Sequence, residues 1–127
     1  MPLKKIYIID DDPIYKLVTK KLIQKTNLFS ESKEFNNGND AINYFKSTTD
    51  LPDILLLDIE MPEMDGWEFL DAFCKLEKEI NKESTVYIAS SSIALEDKLR
   101  AEKYKCVKEF LSKPINLDKL KKIADQD

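Results

Sequence analysis

Histidine is absent from the 127-residue chain, and cysteine occurs only twice, at Cys74 and Cys106. Without histidine, the protein cannot hold a histidine-bearing zinc site or use a histidine-based catalytic triad. Two cysteines outside any Cys-x-x-Cys motif cannot form a disulfide scaffold, and such cysteine use is typical of a reducing cytoplasm. These scarcities exclude several classes of enzyme and of secreted protein.

Glycine and long apolar runs are also scarce. No apolar run approaches the ~20 residues of a membrane span, and the apolar stretch near the N-terminus is too short for a signal peptide. Two glycines and five prolines leave little material for linkers, so we expect one domain over residues 1–127 with no output domain. Acidic residues outnumber basic ones by 24 to 20, which argues weakly against nucleic-acid binding. We therefore expect a soluble cytoplasmic protein that binds neither nucleic acid nor membrane.

Apolar residues make up 43% of the chain, and their spacing predicts alternating strands and helices. The predicted strands are 3–9, 33–35, 53–59, 85–89 and 107–111. The first predicted helix begins at Pro13, with Asp12 as a possible cap. The next three cover residues 40–46, 66 to about 80, and 94–104. Asn116 is predicted to cap a fifth helix. Ile14, Val18 and Leu22 recur every four residues and predict the buried face of the first helix.

This alternation predicts an α/β fold, a single doubly wound (βα)5 domain with a parallel five-stranded sheet. The consecutive apolar residues 54–57 predict a central strand that is buried on both faces. In such sheets ligands bind beyond the carboxyl ends of the strands, so the residues directly after each strand are the candidates for a site. They are Asp10, Asp11, Asp12, Asp58, Ser90, Ser91, Ser92 and Lys113.

These strand-end residues suit phosphoryl transfer. Crowded carboxylates at Asp10, Asp11 and Asp58 repel one another, and Mg²⁺ is the usual cation that relieves this repulsion beside phosphate. One aspartate can act as a nucleophile toward phosphorus, while Lys113 and the Ser90 hydroxyl interact with phosphoryl oxygens. Each residue alone also fits a helix cap, a turn or a strand exit, so only the joint pattern indicates such a site.

The pattern resembles the receiver domain of bacterial two-component response regulators over essentially the whole chain. Residues 56–66, Leu-Leu-Asp-Ile-Glu-Met-Pro-Glu-Met-Asp-Gly, are similar to the family motif D-x-x-M-P-x-M-D-G. The acidic residues after the first strand, the strand-end Ser90 and the pair Lys113-Pro114 follow the family's order. The resemblance implies the flavodoxin-like strand order 2-1-3-4-5 and a stand-alone receiver similar to chemotaxis regulators.

The resemblance also implies which residues hold phosphate and metal. Asp58 would be the phosphoacceptor. Asp11 would bind Mg²⁺ directly, Asp10 mostly through water, and the backbone carbonyl of Glu60 would be a further ligand, as would Asp58 itself. Asp12 fits a helix cap better than a metal ligand.

The signalling roles follow from the same resemblance. Lys113 would pair with the phosphoryl group, Ser90 would move toward it, and the ring of Phe110 would turn inward as the aromatic switch. The donor would be a sensor histidine kinase or a histidine phosphotransfer protein. The surface of the fourth helix, fifth strand and fifth helix would then regulate an unidentified downstream protein. We expect a monomer or weak dimer that assists its own phosphorylation and dephosphorylation and is not a turnover enzyme.

Three alternatives share parts of the pattern. A haloacid-dehalogenase-like phosphohydrolase would use Asp10 as the nucleophile and Asp12 as the general acid, but it needs a later acidic pair and leaves the Asp58 motif unexplained. A receiver-fold binding module that never takes phosphate would not need the intact set of strand-end residues. A flavodoxin-like electron carrier shares the topology, but the acidic loop after the first strand lacks the residues that cradle phosphate, which argues against FMN.

Overall fold

A computed structural model gives the structure of the chain and describes residues 3–48, 50–61, 63–91 and 94–125. Strands and helices alternate along it, as the sequence predicts. The strands are β1 (Lys4–Ile9), β2 (Phe29–Phe35), β3 (Ile54–Leu57), β4 (Thr85–Ser90) and β5 (Val107–Ser112). The helices are α1 (Pro13–Thr26), α2 (Gly38–Lys46), α3 (Gly66–Ile80), α4 (Leu95–Ala101) and α5 (Leu117–Asp125).

The strands form one parallel sheet in the order β2-β1-β3-β4-β5, which confirms the predicted doubly wound fold. All of β3 is buried, as expected for a central strand that helices cover on both faces. In the register Ile9 lies beside Leu57, and Leu57 lies beside Ile88. The carboxyl ends of β1, β3 and β4 therefore meet at one edge of the sheet.

Each face of the sheet has its own hydrophobic core. On one face, α2 and α3 contribute aromatic side chains that include Phe45, Phe69 and Phe73. On the other face, Ile23 of α1 packs in the same cluster as Leu120 of α5. Full burial of such side chains stabilises the fold by about 1.5–3 kcal/mol each, so both helix layers are held firmly on the sheet.

The prediction for the buried face of α1 is wrong. Ile14 is 72% exposed and Val18 is 50% exposed, while Leu22 is only partly buried. The residues of α1 that the structure buries are Lys16, Thr19 and Ile23. The polar side chain of Lys16 can be buried because its ammonium donates a hydrogen bond to Asn36 Oδ1, directly after β2. Helical spacing therefore identified an apolar row correctly but assigned it to the wrong side of the helix.

Several element boundaries also differ from the sequence prediction. β2 begins at Phe29 rather than 33. The strand lies at the edge of the sheet and pairs only with β1, so its polar residues can remain exposed to solvent. β3 ends at Leu57 rather than 59, and α4 ends at Ala101 rather than 104. After α4 the chain makes two successive turns, in which Tyr104 N donates to Ala101 O and Val107 N donates to Tyr104 O.

Helix length bears on the expectation that the protein does not enter a membrane. The 15-residue α3 is shorter than the ~20 residues of a membrane span. Within the described ranges, no helix combines the length and the apolar character that crossing a bilayer requires.

Candidate functional site

Three carboxylates meet at the carboxyl edge of the sheet. Asp10 and Asp11 directly follow β1, and Asp58 directly follows β3. The backbone N–H of Asp58 donates to the carbonyl of Ile9 at 3.0 Å, which continues the strand pairing into the site. One oxygen of each carboxylate lies within 4.8 Å of the others. Asp10 and Asp58 are buried and Asp11 is exposed. The structure therefore places the three aspartates together, as the sequence predicts.

Lys113 reaches these carboxylates from the end of β5. Its backbone N–H donates to the carbonyl of Ser90 at 2.9 Å, which aligns it with the end of β4. The ammonium Nζ lies 2.7 Å from Asp10 Oδ2 and 3.8 Å from Asp58 Oδ2. A single ammonium therefore compensates two buried carboxylates, and the site retains an excess of negative charge.

Burial and charge act together on Asp58. The pKa of Asp58 is raised to about 6, mainly because the carboxyl is buried and secondly because the charge of Asp10 lies nearby. The Lys113 ammonium and the backbone N–H of Glu60 oppose this rise, because both favour the ionised carboxylate. The Glu60 N–H donates to Asp58 Oδ1 at 3.2 Å. The carboxylate is therefore ionised at neutral pH, but at a cost that a nearby cation would reduce.

The donor set fits a magnesium ion. Mg²⁺ prefers oxygen ligands and is usually held by one or two carboxylates together with water and phosphate. Asp11 offers an exposed carboxylate, and Asp58 offers a buried one whose raised pKa shows that its charge is undercompensated. A site made of carboxylate oxygens suits a hard cation better than a thiophilic metal.

The loop that follows Asp58 is held in place by the Asp-Gly pair of the motif. A Cβ at Gly66 would lie 2.6 Å from Ile59 Cα and 2.9 Å from the Asp58 carbonyl oxygen, so only glycine permits this close approach. Asp65 caps α3 by accepting the N–H of Glu68 at 2.9 Å, and the Glu68 side chain accepts the N–H of Asp65 at 3.3 Å. This reciprocal capping box fixes the start of α3 at the far end of the loop that follows Asp58.

The other predicted residues that the structure describes lie on β4, directly after it, or on β5. Ser90 is the last residue of β4 and is buried, and Ser91 is exposed. Phe110 is half-buried on β5 and packs against the aromatic core. Ser92 and Pro62, which belong to the predicted strand-end and loop motifs, lie outside the described residues.

Asp12 serves as a helix cap, as the sequence suggested. Its Oδ1 accepts hydrogen bonds from the backbone N–H groups of Ile14 at 2.9 Å and Tyr15 at 3.2 Å. A carboxylate used in this way is not positioned as a general acid, which removes one component of the phosphohydrolase alternative. The acidic residues Asp118 and Asp125 lie on α5, and Asp127 lies outside the described residues.

Tyr15 is a site residue that the sequence analysis missed. Its ring centroid lies 4.2 Å from Lys113 Nζ, a distance at which a cation–π contact forms. Burial raises the pKa of Tyr15 well above its usual range, and the charge of Asp10 adds to this effect. The only signal in the sequence was an aromatic residue in the first turn of the helix that follows the acidic loop. That signal does not reveal that the ring faces the lysine.

Comparison with known proteins agrees with this geometry. The profile of the response regulator receiver domain matches residues 6–125. The chain belongs to the response regulator receiver family. Chemotaxis protein CheY of Bacillus subtilis is 29% identical over 120 residues, which cover 91% of this chain and 90% of that protein. CheY of Thermotoga maritima is 31% identical over 74 residues, which cover 58% of this chain and 59% of that protein.

Other relatives are much longer than this chain, which aligns with only a part of them. The match to the sensor protein GacS of Pseudomonas syringae has 25% identity and covers 94% of this chain but 13% of that protein. The match to the hybrid signal transduction histidine kinase L of Dictyostelium discoideum covers 95% of this chain and 7% of that protein at 30% identity. Receiver domains of this family thus occur both alone and within larger signalling proteins.

Solved structures show the same fold. A two-component response regulator from Cytophaga hutchinsonii has a TM-score of 0.87 at 29% identity, covering 97% of this chain and 95% of that one. A response regulator receiver protein from Dyadobacter fermentans has a TM-score of 0.82 at 26% identity, covering 94% of this chain and 93% of that one. The chain is a CheY-like receiver domain of two-component signalling, and neither the phosphohydrolase nor the electron carrier is favoured.

Proposed function

We propose that this receiver takes a phosphoryl group onto Asp58 from a phosphohistidine on a sensor kinase or a histidine phosphotransfer protein. The observation that supports the proposal is the position of the Asp58 carboxylate. It is buried at the end of the central strand, beside a second buried carboxylate, with the Lys113 ammonium 3.8 Å away. This arrangement provides a nucleophile and a positive charge at one point of the surface.

The transfer step needs an ionised carboxylate. With a pKa of about 6, Asp58 is ionised at neutral pH, so one of its oxygens can attack the phosphorus of the donor. The new bond is P–O, the bond that breaks is P–N, and the nitrogen of the donor imidazole keeps the electron pair. The Lys113 ammonium lies near both Asp10 and Asp58. Once the Asp58 oxygen has bonded to phosphorus, the ammonium can pair with a phosphoryl oxygen in place of the Asp58 carboxylate.

We assign Mg²⁺ to the carboxylates of Asp11 and Asp58 and the backbone carbonyl of Glu60, with Asp10 acting through water. When bound, the ion supplies positive charge that offsets the carboxylates and the phosphoryl oxygens. Both oxygens of Asp10 already accept hydrogen bonds in the structure, from the Asp12 N–H and from Lys113, which supports its indirect role. The exposure of Asp11 supports direct binding.

The phosphoryl group would be read by Ser90 and Phe110. A phosphorylated aspartate offers strong acceptor oxygens, and the Ser90 hydroxyl at the neighbouring strand end can donate to one of them. Phe110 lies beside Ile88 in the register of β4 and β5, two residues before Ser90, so its ring can repack when Ser90 moves. The change would reach the α4-β5-α5 surface, where Leu95 and Leu99 are exposed on α4 and can contact a downstream protein.

We further infer that residues 1–127 act as one receiver domain in the cytoplasm, as a monomer or weak dimer. In this role the domain assists its own phosphorylation and dephosphorylation and regulates a partner, and it does not turn over a substrate. The match to Bacillus subtilis CheY over 91% of this chain supports the assignment of these residues to one receiver domain.

The test is intact mass before and after incubation with a small acyl phosphate and Mg²⁺. We expect wild type to gain one phosphoryl group and Asp58→Asn to gain none, because the amide is not a nucleophile. Asp118→Asn is the matched control, since it makes the same change at an exposed carboxylate on α5 and should behave like wild type. Equal phosphorylation of Asp58→Asn, or turnover of a phosphoester that depends on Asp10, would refute the assignment.

A further inference from the structure

The two cysteines of the chain meet on the α3 side of the sheet. Cys74 lies on α3, and Cys106 lies directly before β5, 32 residues later. Their Sγ atoms are 3.1 Å apart and both residues are free thiols. No local motif predicts this contact, because the fold brings together residues that are remote in the sequence.

The thiol pair is accessible. Both cysteines are only partly buried, and both line a cleft of about 720 Å³ between the end of α3 and the turns before β5. Lys78, Lys103 and Lys105 also line this cleft. A small polar oxidant can therefore reach the sulfur atoms from solvent without any opening of the core.

We propose that Cys74 and Cys106 form a reversible intramolecular disulfide when the protein meets a peroxide. The Cys74 thiolate attacks the peroxide, so that an S–O bond forms, the O–O bond breaks, and the released hydroxide takes a proton to become water. Cys106 sulfur then attacks Cys74 sulfur, so that the S–S bond forms, the S–O bond breaks, and a second water leaves with the Cys106 proton. In total, two thiols and one hydrogen peroxide give one disulfide and two waters.

The acidity of the two thiols agrees with this order. Contact with Cys106 Sγ lowers the pKa of Cys74, while the same contact and burial raise the pKa of Cys106. A thiolate is the species that reacts with peroxide, so Cys74 is the first to react and Cys106 is the resolving thiol.

A metal site at the same place is the main competing interpretation. Glu77 joins the two cysteines in a group whose ligand atoms lie within 4.8 Å of one another. Two thiolates on one tetrahedral zinc, with Zn–S bonds of about 2.3 Å, stand about 3.8 Å apart. The observed 3.1 Å between the sulfur atoms is shorter, and Glu77 is already engaged as an acceptor for the Ser84 N–H at 2.7 Å. The geometry therefore favours a sulfur–sulfur bond over a shared ion.

A disulfide here would link α3 covalently to the segment that leads into β5. The carbonyl of Cys106 accepts the N–H of Val86 of β4 at 2.8 Å, and Val107 begins β5. The bond would tie α3 to the start of β5, the strand that carries Phe110. It would also close a loop of 32 residues and restrict the unfolded chain.

The experiment compares wild type with Cys74→Ser and Cys106→Ser, each treated with hydrogen peroxide, alkylated under denaturing conditions, and analysed by intact mass and non-reducing peptide mapping. We expect wild type to go from two alkylatable thiols to none, to lose two hydrogen atoms, and to yield a peptide linking 74 to 106. Dithiothreitol should restore both thiols. Each serine variant should keep a thiol or carry a sulfenic acid, with no internal link.

A second measurement tests the predicted tether. Oxidised wild type should unfold at a higher urea concentration than reduced wild type, and peroxide should not raise this midpoint in either serine variant. Asp58→Asn should form the disulfide as wild type does, so this result is independent of the proposed phosphoryl transfer. The proposal is wrong if wild type keeps both thiols or forms only intermolecular disulfides. It is also wrong if wild type binds one zinc ion through both cysteines that protects them from peroxide.

Discussion

Helices α1 and α3 both carry apolar side chains at helical spacing, but they turn them in opposite directions. In α3 the side chains of Phe69 and Phe73 are fully buried in the aromatic core. In α1 the row Ile14, Leu17 and Val18 faces solvent, with each side chain at least 50% exposed. Periodicity thus identifies an apolar face, but packing decides whether that face belongs to the core or remains available to a partner.

The exposed row of α1 begins close in the sequence to the buried carboxylate of Asp10. α1 begins directly after the Asp10–Asp12 segment, and Tyr15 in its first turn contacts the Lys113 ammonium. Charge is buried at the sheet edge and apolar surface is exposed next to it, which reverses the usual distribution in a globular protein. Under the proposed function, the first feature serves the chemistry, and the second is apolar surface that a phosphodonor protein could contact.

The sharpest test of the contrast between the helices is truncation of one side chain from each. Phe73→Ala should lower the free energy of unfolding by about 3–5 kcal/mol, because it leaves a cavity in the aromatic core. Leu17→Ala should change it by less than about 0.5 kcal/mol, because that side chain is already half in water. Urea denaturation followed by circular dichroism measures both. Similar losses in the two variants would show that the α1 face is packed in solution.

Much of the fold could be predicted because its signals are local. The consecutive apolar residues 54–57 mark a strand that is buried on both faces, and a strand of that kind implies a parallel sheet with helices on each side. Which side of α1 faces the sheet could not be predicted, since the buried side includes Lys16. Its ammonium donates a hydrogen bond to Asn36, a residue that is remote in the sequence. The early end of α4 likewise depends on turns that join it to β5.

The site divides in the same way. The gathering of Asp10, Asp11 and Asp58 follows from the rule that parallel strands end at one edge, so the sequence was sufficient to predict it. The ring of Tyr15 against Lys113 depends on side-chain directions that spacing does not determine. The roles of Ser90 and Phe110 in signalling stay predictions, because they concern a phosphorylated form.

The buried charge of Asp58 is expected to lower the free energy of unfolding at neutral pH. The folded protein binds a proton on Asp58 more tightly than the unfolded chain does, since the pKa rises from 3.8 to about 6. Stability from this group is therefore fully present below pH 3.8, is lost as pH rises to about 6, and leaves a cost at neutral pH. Asp58→Asn should raise the free energy of unfolding by about 1–3 kcal/mol at pH 7 without Mg²⁺.

Urea denaturation of both proteins at several pH values tests this expectation. The advantage of Asp58→Asn should shrink as the pH falls through the window from 6 to 3.8, where wild-type Asp58 becomes protonated. Asp118→Asn should show no such gain, because its carboxylate is exposed. A variant that is no more stable than wild type at pH 7 would mean that Lys113 already compensates the charge fully.

The smallest expected effect concerns the exposed face of α1 as a docking surface. A phosphohistidine that reaches Asp58 must bring its protein against the neighbouring surface, and Ile14 is 72% exposed within the first turn of α1. Ile14→Ser should slow phosphoryl transfer from a phosphohistidine protein by about tenfold, since a buried apolar contact of ~1.4 kcal/mol would be lost. The rate with a small acyl phosphate should not change, because such a donor needs no docking surface.

The matched control for this docking test is Leu95→Ser, which removes an equally exposed apolar side chain from α4. It should leave transfer from the protein donor unchanged, because α4 belongs to the proposed output surface rather than to the face beside Asp58. Stopped-flow or radiolabel transfer assays distinguish the two variants at a single donor concentration below saturation. If Leu95→Ser slows transfer as much as Ile14→Ser does, or if Ile14→Ser also slows the small donor, the donor does not dock through α1. The exposed apolar row would then need another partner to account for it.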